Sequence, residues 1–178
     1  MQNEKLKAGS RFPTMTIPAV VGGNVTLGGL DAAKERWQLV VVYRGKHCPI
    51  CKRYLAKLEE LKDDFAAADI DVIAVSGDSA EKAALQAEEG ALTFPVGYDL
   101  KVEQMAELGL YISDPRSPQE TDQPFPEPGL FALRPDGTLQ IVDISNAPFA
   151  RPELASILNG LKFIREKGYP IRGTHGTA

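Results

Sequence analysis

The polarity of the chain switches between two periods. Trp37–Tyr43 (WQLVVVY) is an unbroken apolar, β-branched and aromatic run, the pattern of a strand covered on both faces. In CKRYLAKLEELKDDFAAA, which follows the motif loop, Cys51, Tyr54, Leu55, Leu58, Leu61 and Phe65 recur at steps of three and four. Those side chains share one face, with lysines, glutamates and aspartates on the other, so an amphipathic helix is predicted. Asp71–Gly77 (DVIAVSG) is a second buried-strand run. It is reached through the long helix, so the two strands are expected to be parallel, with a right-handed crossover. SAEKAALQAEEG predicts a helix capped by Ser79 and closed by Gly90. A short strand and turn in TFPVGYDL and a short helix in KVEQMAELG follow. In LFALRPDGTLQIVDI two apolar runs meet at Asp136 and Gly137, a strong hairpin signal. The final helix, RPELASILNGLKFIREKG, sets Leu154, Ile157, Leu158, Leu161 and Ile164 on one stripe. Ahead of everything, TMTIPAVVGGNVTLGGL reads as an extra N-terminal hairpin turning at Gly22, Gly23 and Asn24. Only residues 111–129, YISDPRSPQETDQPFPEPG with five prolines, follow neither period. A stretch of that length is a functional or mobile loop rather than a plain connector.

Composition sets the class without naming the chemistry. With 178 residues, 43% hydrophobic and 25% charged, the chain suits one soluble domain over residues 1–178 with a sizeable core. A net charge of −4 argues against nucleic acid as a partner. No apolar run approaches the ~20 residues that span a bilayer. MQNEKLKAGSRF has no apolar segment behind its lysines, so no secretory leader is expected and a cytoplasmic location is. Thiols there are held reduced, which weakens a structural disulfide.

The chemistry concentrates in YRGKHCPICKRYL, residues 43–55, which holds the only two cysteines, Cys48 and Cys51. A structural zinc site needs about four ligands, and only His47 and His175 could join the pair. Two inert core cysteines are a plainer reading. The flanking elements favour a redox pair instead. Pro49 suits the first helical position, which puts Cys48 at the cap and Cys51 in the first turn. The partial positive charge and free N–H groups of a helix start stabilise a thiolate. Arg44, Lys46, Lys52 and Arg53 push the same way. His47 is expected to be exposed or locally hydrogen-bonded. Asp78 and Asp99 read as loop caps, and Trp37 and Tyr43 as packing residues.

The order strand, C-x-x-C, helix, strand, helix, hairpin, helix is that of the thioredoxin fold, a central mixed sheet flanked by helices. The chain resembles the peroxiredoxin, or AhpC/TSA, superfamily, in its C-x-x-C branch. The resemblance rests on AGSRFPTMTIPAVVGGNVTLGGL, RGKHCPIC, VSGDSAEKAALQAEEGALTFPVGYDL, PEPGLFALRPDGTLQIV and KFIREKGYPIRGT. True peroxiredoxins carry P-x-x-x-T-x-x-C, whose last cysteine attacks the peroxide. Setting Cys51 there puts Cys48 in place of the threonine and Arg44 in place of the proline. The family's arginine in R-G-L-F is Pro128 here, before Gly129, Leu130 and Phe131. That proline resembles the cis-proline facing the dithiol of thioredoxins, and is expected to be cis and to bring the end of the long loop beside Cys48.

These readings imply a thiol-dependent oxidoreductase built on Cys48 and Cys51, with Arg44 and Pro128 positioning the substrate. On the thioredoxin-like mechanism Cys48 is the exposed attacking thiolate and Cys51 resolves. On the peroxiredoxin-like mechanism Cys51 attacks the peroxide and Cys48 condenses with its sulfenic acid. The two losses favour thiol–disulfide exchange; a non-catalytic redox-sensing domain is the opposing class. No cofactor is implied. The partners implied are a thioredoxin- or glutathione-type thiol reductant and a disulfide or peroxide substrate.

Overall fold

The computed structural model describes residues 4–177. Its centre is a mixed five-stranded sheet of order β5-β4-β3-β8-β9. Strand β3 (Trp37–Val42) is buried at every position. It pairs in parallel with β4 (Ile70–Val75), from Trp37 opposite Ile70 to Val42 opposite Val75, and antiparallel with β8 (Gly129–Leu133). Strand β5 (Val96–Gly97) extends the parallel side, and β9 (Leu139–Ile144) closes the other edge through the Arg134–Thr138 turn. There Gly137 has φ +84° and its N–H donates to Arg134 O at 2.8 Å.

Alternation along β3 divides the core between two faces. Leu39, Val41 and Tyr43 join the cluster under α1 (Pro49–Ala67) and α4 (Leu154–Lys167), with Leu55, Leu58, Phe65, Leu158 and Leu161. Val40 and Val42 pack on the opposite face with Phe12, Ile17, Leu27 and Phe131. That second layer is covered partly by the predicted N-terminal hairpin, β1 (Met15–Pro18) with β2 (Asn24–Leu27). Helix α2 (Ala80–Glu89) starts as expected, with Ser79 Oγ accepting the Lys82 N–H at 3.3 Å, and α3 (Val102–Glu107) is the short helix before Gly109. No helix among the described residues is long and apolar enough to cross a membrane.

The proline-rich stretch departs from a structureless loop. Its ends pair as β6 (Ile112–Ser113) and β7 (Phe125–Pro126), and Glu127 N–H donates to Tyr111 O at 2.8 Å. Pro128 O accepts from Ser145 N–H at 3.0 Å. The chain is thus tied to β6 on one side and to the β9 end on the other. The peptide bond before Pro128 is trans, against the cis expectation, because an extended chain satisfies both ladders. Pro128 is buried at the threshold of β8.

Candidate active site

The loop from β3 into α1 brings the two sulfurs together. Cys48 is the N-cap, in extended backbone, and Pro49 occupies the first helical position. Cys48 Sγ accepts the Cys51 N–H at 3.2 Å. The loop before it is held from across the sheet. Lys46 N–H donates to Asp78 Oδ2 at 2.8 Å, and Asp78 is buried. Gly45, at φ +142°, is needed there: a Cβ on it would lie 2.6 Å from Asp78 Oδ1. Asp78 is therefore the loop cap that its position after β4 predicted.

Both sulfurs are buried, Cys48 at 2% and Cys51 at 0% exposure, which corrects the expectation of an exposed Cys48 thiolate. The physical reason is the capping role itself. A sulfur folded back over the first turn to receive an N–H is turned away from solvent. The pair is nevertheless polarised. The Cys51 thiol and N–H donate to Cys48, and Arg44 adds its charge, so the Cys48 pKa is drawn down to about 6 against the cost of burial. The Cys51 thiol moves in the opposite direction, because its proton is held by Cys48 and burial disfavours a second thiolate. The two thiols titrate as a pair, with Cys48 the more acidic of the two.

Two arginines approach the pair, Arg44 beside Cys48 and Arg151 beside Cys51. Arg44 Nε lies 3.1 Å from Glu127 Oε2 without the angle of a hydrogen bond, and its guanidinium stands 4.8 Å above the Phe125 ring. Glu127, 4% exposed, is fixed by Ser113 Oγ at 2.7 Å. Arg151, which was not singled out from the sequence, approaches Cys51. Its Nη2 lies 3.5 Å from Cys51 Sγ and its Nε donates to Pro148 O at 2.8 Å. It also stacks 4.2 Å over Tyr54, whose hydroxyl donates to Pro152 O at 2.7 Å. A positive charge thus reaches Cys51 from the segment between β9 and α4. No local signal in the sequence marks Arg151; only the expected docking of the last helix against α1 could have drawn attention to it.

The other predicted cations have different roles. Lys46 and Lys52 pair with Glu89 at 3.0 and 3.4 Å, while Arg53 is exposed. His47 is half-buried against Phe125, ring centroids 4.6 Å apart, with neither buried nitrogen hydrogen-bonded. This corrects the expectation of an exposed or locally bonded ring. Burial, aided by Arg44, lowers its pKa and keeps it neutral. Among the described residues no group of three or more His, Cys, Asp or Glu side chains is arranged to hold a metal ion.

Cys48, Cys51, Arg44 and Glu127 lie within the segment matched by a family model, and Arg151 lies beyond it. The model described as "AhpC/TSA family" matches residues 8–142. The chain belongs to the AhpC/TSA family. It is 29% identical over 107 residues to "Putative peroxiredoxin Rv2521" of Mycobacterium tuberculosis, a match spanning 60% of this chain and 66% of the relative, just under two thirds. Among solved structures it is similar to a peroxiredoxin-like protein from Aquifex aeolicus. That match has TM-score 0.76 and 18% identity over 92% of this chain and 90% of the other. Peroxidoxin BcpB from M. tuberculosis aligns with TM-score 0.72 and 19% identity, over 90% of this chain and 99% of the other. At those identities the structures establish the thioredoxin fold, and the family model establishes membership of a thiol redox family.

Proposed function

We propose that the protein is a thiol-dependent peroxidase in which Cys48 and Cys51 form one redox centre. The observation that carries this reading is a thiolate-stabilising helix cap at a cysteine residue only 2% exposed. A disulfide substrate must bring a bulky sulfur in line with the attacked bond. Hydrogen peroxide is close to water in size and needs no groove. Family membership supports the same chemistry, and the trans peptide before Pro128 removes one ground for preferring disulfide exchange.

In the reaction the Cys48 thiolate attacks the near peroxide oxygen. The O–O bond breaks, and the leaving hydroxide or alkoxide takes a proton. Cys48 is then a sulfenic acid. The Cys51 sulfur attacks the Cys48 sulfur and expels water, closing the Cys48–Cys51 disulfide. Two reducing equivalents from a cellular thiol reopen it. Arg44, and Arg151 through Cys51, offset the negative charge that builds up in a dry site. Glu127 holds Arg44 and is a positioning residue.

A second reading exchanges the two sulfurs, with Cys51 attacking as its alignment on the family's peroxide-reactive cysteine suggests. The 3.5 Å approach of Arg151 to Cys51 favours it. Peroxide oxidation of the wild type, Cys48→Ser and Cys51→Ser, followed by dimedone labelling, decides between them. The first reading expects a sulfenic acid on Cys48 in Cys51→Ser and an inert Cys48→Ser. A fast sulfenic acid on Cys51 in Cys48→Ser would establish the second. A wild type inert to peroxide but rapid in insulin reduction would return the protein to thiol–disulfide exchange.

A further inference from the structure

His47 takes no part in the chemistry above. Both its ring nitrogens are shut off from solvent, and neither has a hydrogen-bond partner. Buried polar atoms are nearly always paired, so a dry, unpaired imidazole calls for a physical account. Phe125 touches both this ring and Arg44. Its centroid lies 4.6 Å from the imidazole, in an edge contact, and 4.8 Å from the guanidinium. Phe125 also anchors the proline-rich stretch. From Ser113 to Phe125 only Thr121 and Phe125 are buried. Further ties are polar: Lys82 Nζ donates to Asp122 Oδ1 at 2.6 Å and to Thr121 Oγ1 at 3.3 Å, and Gln123 donates to Gly77 O. A segment with so few buried contacts opens more readily than the core.

The surroundings of His47 oppose a charge on it. Burial is the larger cause, and Arg44 on the same loop, Lys82 on α2 and Arg116 on the segment act the same way. Glu120 favours a charge but is committed to Arg116 Nε at 3.0 Å. Asp78, which meets the ring beside Gly45, is committed to the Lys46 N–H at 2.8 Å. Cys48 adjoins His47 in the chain and loses its own proton at about pH 6.

We propose that His47 is a pH-sensitive latch: neutral, it holds Phe125 and the 113–125 segment closed against Arg44, and protonated, it drives the segment open. Protons bind the open form better, because there the imidazole is hydrated and has its ordinary pKa near ~6.5. Closure is therefore at full strength above about pH 6.5 and weakens as pH falls, by at most about tenfold per pH unit. Opening withdraws Phe125 from Arg44, whose charge helps to acidify Cys48. That consequence for the sulfur site rests on the peroxidase reading, whereas the latch itself does not.

Amide hydrogen exchange tests the latch in Cys48→Ser, where no Cys48 thiolate titrates. Protection of residues 113–127, corrected for the intrinsic pH dependence of exchange, is expected to fall about tenfold between about pH 7.5 and 5.5, while β3 stays protected. His47→Gln and His47→Phe cannot titrate and should abolish the fall, and either one decides the matter if the other does not fold. Ring NMR should place the pKa of His47 below that of His175, the other histidine, which is exposed. A 113–127 segment indifferent to pH, a fall retained in the variants, or a His47 pKa at or above that of His175 would overturn the latch. In the protein with both cysteines, the peroxide rate should drop in acid with a slope steeper than that of a single proton, returning to a single-proton slope in His47→Gln. A single-proton slope in both would overturn the coupling to the sulfur site. A protein inert to peroxide would overturn the peroxidase reading and leave the exchange result to decide the latch.

Discussion

At the scale of single residues, the site works by asymmetry between two identical side chains. Iodoacetamide alkylation of Cys48 should follow a titration centred on about pH 6, fast above it and slow below, while Cys51 stays unreactive across the neutral range. Mass mapping of the labelled peptide against pH checks this, and preferential labelling of Cys51 would refute it. Arg151 is the other decisive residue. Arg151→Lys keeps a charge but loses the planar fork that reaches Pro148 O and Cys51 Sγ together and stacks on Tyr54. Its peroxide rate is expected to fall about tenfold, one charge-assisted contact's worth, with thermal unfolding nearly unchanged, as single-turnover kinetics beside calorimetry would measure. Cys48, Cys51 and Arg44 were legible in the sequence because they lie within eight positions on one strand–loop–helix unit, where local rules decide. Arg151 and Glu127 were not. Arg151 stands 100 residues from Cys51, and tertiary packing alone brings it there.

Among the elements, the β3–α1 loop is the one whose geometry the chemistry depends on. Gly45→Ala would drive a methyl group into Asp78 from a backbone already at φ +142°. The Asp78–Lys46 bond would break and the loop carrying Cys48 would shift. We expect a loss of about 1–3 kcal/mol in chemical denaturation, a typical cost of backbone strain, together with a higher Cys48 pKa in the alkylation profile. An unchanged profile would mean that the loop does not hold the cap. The elements themselves were largely readable, because β3, α1, α2 and the Arg134–Thr138 hairpin each combine strong periodicity with clear caps or turn residues. The stretch over 111–129 was less so. Its two strands are two residues each, too short for periodicity, and their pairing joins residues 12 and 14 positions apart. The same pairing fixes the trans chain into Pro128, which the likeness to a thioredoxin segment had suggested would be cis.

For the whole molecule, the question is which redox state the fold prefers. The reduced form gains from a Cys48 thiolate held by the helix cap, by Cys51 and by Arg44, and the disulfide surrenders that anion. The sign follows from the lowered pKa. A thiol at about 6 in the folded protein and ~8.5 in the unfolded chain stabilises the fold increasingly as pH rises between those values. The gain disappears as pH falls through about 6, where Cys48 is protonated in both states. The disulfide form has no such term, and closing a four-residue loop constrains the unfolded chain only modestly. The reduced protein should therefore unfold at a higher temperature than the oxidised one at pH 8, and the gap should narrow towards pH 5. With only two cysteines, mild peroxide should produce the oxidised sample as a monomer with an intramolecular Cys48–Cys51 bond. Calorimetry of both forms across that range measures the gap. An oxidised form more stable at every pH would mean that the cap contributes less to the thiolate than loop closure does to the disulfide. A reduced form favoured above pH 6 would make the disulfide a readily reduced one, as a catalytic cycle requires.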